Sequence, residues 1–468
     1  MLGVLASLVS SLALYDKFAL ALYNKSGMYA FVIVTLLVYS GIMLFSYERK
    51  LKYQWLVFTV GLIFSFIFSL RIYHEVLRPL REPVTLTNAY GTVESIRTWG
   101  RGYAAVIDAD DFGCYVSWRK FADMMPGSRI KFNGVTRKFK EAKHDGSFDE
   151  ERYFRARNIS GWINISGIED LPERFSLPLM RYRLSSALTI YMPDRTAKYL
   201  KAAWLGERDS ELNKKHVKWG TSHLLAVSGF HVGIVILIAG YFFGRNTILL
   251  SVILWAYILL TGAAPSALRA GLMLQTGLFA RVLKRPVMGV NSVCVAGVML
   301  LLWRPFLFWD IGFRLSLLCA LTLTAMFDVR KSLWFAISTI AFLVTFPQIA
   351  MTFKTVPLAG IILNLFAPFY FAFAFTISSV CAFLRLMNFP LSEYLMLSCE
   401  GIFVIFERLA ESIANAFPYL MHWNFLTAWT GTGTLILILC RYFNFSWVKT
   451  LMLMTGITLF AFMIFIMI

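Results

Sequence analysis

The sequence is short of charge and carries none of the common nucleotide or metal motifs. Charged residues make up 15% of its 468 positions and hydrophobic ones 58%, too little polar surface to clothe a water-soluble protein of this size. No Gly-x-x-x-x-Gly-Lys-Ser/Thr run occurs, which excludes a Walker-type phosphate loop, so energy for any transport must come from a partner or a gradient. None of the six cysteines forms a CxxC pair, so neither a zinc knuckle nor a disulfide framework is indicated. Cys114 lies in a soluble-looking stretch, whereas Cys294, Cys319, Cys381, Cys399 and Cys440 fall in or beside apolar runs and read as small packing residues. Acidic residues are outnumbered 27 to 45 by Lys and Arg, giving a formal net charge of +18. Cytoplasmic loops of membrane proteins collect such charge, and a polyanionic substrate would add to it; charge alone does not separate these causes.

What is present is a series of long apolar runs, such as 57–72 and 451–468. Runs of roughly 20 residues suffice to cross about 30 Å of hydrocarbon. Three spans are expected first, near 3–22, 28–47 and 54–73. The first lacks a basic start and a clear small-residue cleavage site, so it reads as a retained span rather than a signal peptide. Arg49, Lys50 and Lys52 place the loop between the second and third spans in the cytoplasm, and the third span then exits on the outer face. The same count puts Arg281, Lys284 and Arg285, and later Arg330 and Lys331, on the cytoplasmic side.

Residues 84–170 differ in kind. Short β-rich runs at 84–96, 102–109, 113–118, 128–139 and 158–167 are separated by turn signals such as Asp110-Asp111-Phe112-Gly113 and Pro126-Gly127. Five short strands predict a small closed barrel, with the OB-fold as the natural candidate. Trp99, Tyr103, Tyr115 and Trp118, beside Arg101 and Arg119, could stack bases and hold phosphates. Alternate aromatics in a small barrel are equally read as its core. Residues 171–222 interleave Arg174, Arg181, Arg183, Arg195, Lys198, Lys201 and Arg208 with apolar side chains, a pattern that suits helices lying in a membrane interface.

The expected fold class is therefore a polytopic α-helical membrane protein of about 11–13 transmembrane helices, with an extracytoplasmic OB-like β-barrel inserted after the third. The domains are expected at 1–76 (N-terminal spans), 80–170 (barrel), 171–222 (interfacial helices) and 223–468 (transmembrane channel).

Polar groups inside a bilayer are costly and face protein or water. His223, Ser228, His231, Ser266, Arg269, Asp310, Arg314, Gln348 and Asn364 all lie in or near expected spans. A wet, mildly cationic path suits a phosphate backbone, and Arg269 is the best single candidate for lining it. If 223–231 is one helix, the two histidines stand about 80° apart and about 12 Å along its axis. Each residue also has a plainer reading. The histidines, Gln348 and Asn364 serve equally as hydrogen-bonding groups between helices. Arg314 lies one helical turn after Asp310 and suits an ion pair. Glu393, Glu400 and Glu407, at intervals of seven, with Glu411, form a polar helix face that is either partnered or near the interface. No metal ligand set and no cofactor site is expected.

The stretch His223-Leu224-Leu225-Ala226-Val227-Ser228-Gly229-Phe230-His231-Val232, preceded by Gly206-Glu207-Arg208, resembles the signature of the ComEC competence family. Three further elements resemble that family in the same order: 261–270 (TGAAPSALRA), 310–316 (DIGFRLS, with Arg314 where Gln is common) and 356–365, from Val356-Pro357 to Asn364-Leu365. Gly146-Ser147-Phe148-Asp149, with Tyr153-Phe154, resembles the family's link into the last strand of its N-terminal domain. The resemblance implies a channel in the bacterial cytoplasmic membrane that imports single-stranded DNA in natural transformation. It implies a periplasmic DNA receptor and a cytoplasmic helicase-type motor as partners. The metallo-β-lactamase-like ligand cluster of longer members is absent from this sequence, so either a separate nuclease degrades the second strand or the family's expectation for that step does not extend to this chain, and the chain itself is expected not to be an enzyme. Two other readings stand beside it. An intramembrane hydrolase using Ser228 with a histidine lacks a G-x-S-x-G setting. A small-solute or ion transporter would be favoured by inverted repeats, which the sequence does not display.

Overall fold

The computed structural model describes the chain from Thr85 to Phe417 apart from gaps at 100–101, 110–111, 119–123, 138, 141–148, 191, 208, 226, 228, 245, 330–336 and 354, together with 420–422 and a few positions between 433 and 440. The three expected N-terminal spans and the expected last span lie outside the described residues. The chain divides into two compact units, Met1–Tyr182 with Cys294–Phe313, and Arg183–Val293 with Arg314–Ile468.

The first unit is built on a barrel. Strands β1 (Thr85–Trp99), β2 (Gly102–Ala109), β3 (Phe112–Trp118), β4 (Arg129–Arg137) and β5 (Ile159–Leu171) close in the order β1-β2-β3-β5-β4. All pairs are antiparallel except β3 with β5. Closure depends on β1, whose later half pairs with β2 and whose earlier half pairs with β4. Register shifts between Val93 and Ser95, and between Leu86 and Ala89, bend that strand, as bulges do in small barrels. Gly91 lies between the two shifts, where a Cβ would sit 2.5 Å from Ile107. Alternate residues point inward, among them Val93, Ala105, Ile107, Cys114, Val116, Ile130, Phe132 and Ile163, and these make the interior. A short helix α1 (Glu150–Arg155) precedes β5. Asp149 caps it by accepting the Arg152 amide at 2.9 Å. Helix α2 (Leu177–Thr189) follows.

The second unit is helical. Helices α3 (Asp194–Leu205) and α4 (Ser210–Trp219) are amphipathic and end on Gly206 and Gly220, both left-handed. A single 3-10 turn (Ser222–Leu224) leads to α5 (Gly229–Phe243). His223 and His231 thus do not share one continuous helix, because regular helix starts only at Gly229. Helices α6 (Thr247–Leu260) and α7 (Pro265–Val282) pack with α5 around Val232, Leu254, Ile258 and Ala267. Next along the chain, α8 (Gly289–Trp303) passes into the first unit at Cys294, the 3-10 turn (Pro305–Trp309) belongs to that unit, and α9 (Ile311–Val329) re-enters the second unit at Arg314, followed by α10 (Ile337–Phe353). A small strand β6 (Thr355–Pro357) pairs with β7 (Leu420–His422). Between them lie the two longest helices, α11 (Ala359–Leu386) and α12 (Ser392–Ala416). Their core of Phe371, Phe375, Phe403 and Phe406 also receives Tyr199 from α3 and Trp219 from α4.

Among the described residues two helical stretches, Ser222–Phe243 and Ala359–Leu386, are long and apolar enough to cross a membrane. Shorter apolar helices occur at Thr247–Leu260, Gly289–Trp303, Ile311–Phe327 and Thr339–Ala350.

Candidate functional site

The sequence elements singled out above are joined by direct contacts within the helical unit. Ser266 at the start of α7 donates its hydroxyl to the Val227 carbonyl at 2.7 Å, linking the second element to the first. Pro265 opens α7 at its first turn, where a missing N–H costs nothing. One turn on, Arg269 is buried at 8% exposure and donates from Nη2 to the Ser316 hydroxyl of α9, which links the third element. Its Nη1 lies 3.7 Å from Met273 Sδ, and its Nε has no hydrogen-bond partner. No carboxylate pairs with Arg269 among the described residues. A Cβ built on Gly229 would lie 3.2 Å from Ala270 and 3.9 Å from Arg269 Nη2, so glycine lets α5 start directly against α7. Asn364 of α11 donates to the Gly220 carbonyl at 3.3 Å, and Gly220 and Gly360 meet backbone to backbone, which ties the fourth element to the end of α4.

The other expected residues are distributed as follows. His231 is buried, with its ring 5.1 Å from that of Phe375. His223 is exposed, and Arg314, Gln348 and Asn364 are half-buried. Ser228 lies outside the described residues, as do Arg101 and Arg119 and the side chains of Trp99, Tyr103 and Trp118. Tyr115 is buried on the outer side of the barrel, 4.7 Å from Trp162 and 4.8 Å from Phe154 between ring centres. It packs, and in this structure it has no face open to a base. Asp310 makes an ion pair with Arg157 at 3.2 Å and accepts the Phe313 amide at 2.8 Å, capping α9.

A second polar assembly joins α3 and α4 to α12. Glu400 accepts the Thr196 amide at 3.0 Å and its hydroxyl at 2.9 Å. Glu407 meets Arg195 at 3.3 Å, Lys215 at 3.2 Å and the Tyr199 hydroxyl at 3.4 Å. Glu411 takes Lys218 and the Trp219 indole N–H, the latter at 2.8 Å. Glu393 stays exposed. Behind this ladder, His216 is fully buried between the Tyr199 hydroxyl and the Thr221 hydroxyl, each at 2.9 Å. Burial holds its imidazole down to a pKa of about 3, only partly offset by a hydrogen bond to the Thr221 backbone, so the ring is neutral. Burial, then the Glu407 charge, pushes the Tyr199 phenol well above its ordinary value. Sequence reasoning missed His216. Its only local signal was a histidine on the apolar side of an amphipathic helix.

In the barrel, burial and then the nearby Asp108 charge push the Cys114 thiol up to about 12. Desolvation raises Glu94, with Asp108 adding to it and Arg181 and Arg304 opposing. Among the described residues, no group of three or more metal-ligating side chains comes together.

The class is that of a chain with two units, one built on a small closed barrel and one helical, in which three of the sequence elements meet at a buried arginine that pairs with no carboxylate among the described residues. Its family model is described as "Competence protein" and matches residues 205–466, more than half of the chain. The chain belongs to this competence family, of the ComEC type. It is 31% identical over 269 residues to "ComE operon protein 3" of Bacillus subtilis (strain 168), covering 52% of this chain and 34% of that protein. It is 28% identical over 213 residues to an "Uncharacterized protein" of Aquifex aeolicus (strain VF5), covering 43% of this chain and 50% of that one. The matched regions thus span half or less of these relatives. No solved structure matches the chain.

Proposed function

We propose that this chain is a channel that passes single-stranded DNA across the bacterial cytoplasmic membrane during competence. The observation that carries the reading is the convergence of Ser266, Arg269 and Ser316 around the start of α5, with an arginine that no described carboxylate neutralises. A buried cation without a counter-ion suits an anionic visitor, because a passing phosphate supplies the missing charge. His223, Ser228, His231, Arg314, Gln348 and Asn364 are assigned to the same path, with Arg269 as its principal phosphate contact.

The membrane reading is supported by the surface of the helical unit. Leu237, Tyr241, Phe242, Ile248, Phe369 and Phe373 are each more than half exposed, an apolar area that water would not tolerate. In this reading the chain is multi-pass, and loop charges place the barrel outside the cytoplasm. Trp99, Arg101, Tyr103, Trp118 and Arg119 remain the barrel's proposed DNA contacts. A periplasmic receptor delivers the DNA and a cytoplasmic helicase-type motor draws it in.

The test is gene deletion in a transformable host. Transformation should disappear while DNA still binds the cell surface, and should return when this chain is supplied in trans. Normal transformation in the deletion strain would sink the proposal.

A further inference from the structure

Helix α1 has two working sides. On one, Phe154 lies against the outer face of β2, β3 and β5, with its ring centre 4.8 Å from Tyr115, 5.3 Å from Phe139 and 5.7 Å from Trp162. Arg137 stacks 3.6 Å above Trp162 and bonds Glu150 of α1 at 3.2 Å, closing the same face from the side. On the other side, three cations reach the turn between α8 and α9. Arg155 lies 5.2 Å from the Phe306 ring, Arg152 lies 5.9 Å from the Trp309 ring, and Arg157 pairs with Asp310 at 3.2 Å. Arg157 is itself held in place. Its guanidinium lies 3.7 Å over the Tyr153 ring and donates to the Tyr153 carbonyl at 2.9 Å. Asp310 uses its other oxygen to accept the Phe313 amide and cap the first turn of α9. Barrel and turn accordingly fall in one compact unit.

We infer that Arg157 and Asp310 are positioning residues that fasten the barrel to the Pro305–Trp309 turn of its own unit, so that barrel and turn act in uptake as one fixed piece and the barrel face covered by Phe154 is closed to DNA. This rests on the channel reading above. A base stacking on that face would have to displace Phe154 and break contacts made by three arginines. The fastening joins a paired charge, two cation–ring contacts and a helix cap at one carboxylate, and two such residues should act as a unit rather than independently.

The test uses the full chain in the transformable host, with Arg157→Gln, Asp310→Asn, the double variant and Arg157→Lys. Asparagine keeps the capping oxygen and removes only the charge. Each neutral variant should lower transformation about tenfold at unchanged membrane abundance, the double variant should fall no further, and Arg157→Lys should stay near wild type. Wild-type transformation by Arg157→Gln, or a multiplied loss of about a hundredfold in the double variant, overturns the inference. The same cycle on thermal unfolding of the purified chain separates the two ideas. If the deletion strain transforms normally, the channel reading fails, while additive or non-additive Tm shifts still decide whether the pair fastens the barrel.

Discussion

The helical unit handles charge in two opposite ways. On α12, Glu400, Glu407 and Glu411 each meet a cation, an amide or an indole from α3 or α4. On α7, Arg269 has a hydroxyl and a thioether, and an unpaired Nε. The first arrangement is what holding two layers together requires, since buried charges are tolerated when paired and hydrogen-bonded. The second gives the fold little in return for desolvating a cation, and such groups in a membrane setting mark transport paths more often than structural joints. The glutamates are partly exposed as well as partnered, whereas Arg269 is buried with an incomplete partner set, and that combination separates the two roles.

The sharpest way to break this contrast is Arg269→Ala. Transformation should fall to the level of a deletion strain, while the Tm of the purified protein stays within a few degrees of wild type or rises. A large Tm loss with proportionally reduced membrane abundance would make Arg269 a structural joint like the glutamates. The reciprocal change, Glu407→Gln, should cost about 2 kcal/mol of stability, because it strips the shared partner from Arg195 and Lys215. Unfolding in detergent would measure it, and an unchanged Tm would show the ladder to be ornamental.

The smallest expected effect is a pH dependence from His216. Its folded pKa of about 3 lies below the ordinary 6.5, so the unfolded chain binds the extra proton. Stability from the neutral ring is full above pH 6.5 and is lost as pH falls from there towards 3, by about 1.4 kcal/mol per unit. Comparing Tm at pH 7.5 and 5.5 for the wild type and for His216→Phe should show a slope in the first that is shallower in the second. Equal slopes would place the titration elsewhere.

The barrel was legible in the sequence because turn residues bracket each strand. The runs expected at 102–109 and 113–118 correspond to strands at Gly102–Ala109 and Phe112–Trp118. Helix α1 was not legible, being too short for any periodicity, and its role comes from contacts with a turn far along the chain. The seven-residue spacing of Glu400 and Glu407 signalled one helix face, but their partners sit in α3 and α4 and left no local trace. Asp310 suggested an ion pair with the neighbouring Arg314. The structure pairs it with Arg157, a choice set by tertiary placement rather than spacing. Ser266 and Arg269 stood out in the sequence, but Ser316, the hydroxyl that Arg269 meets, did not, because the contact joins helices 47 residues apart.

One contact constrains how the helical unit can flex. Where α4 ends and α11 begins, Gly220 and Gly360 press backbone on backbone, and a Cβ on Gly220 would stand 2.9 Å from Gly360 Cα. A joint with no side chain has no rotamer to absorb a displacement. It behaves as a fulcrum rather than a cushion, so any tilt of α11 would be handed undamped to the amphipathic pair.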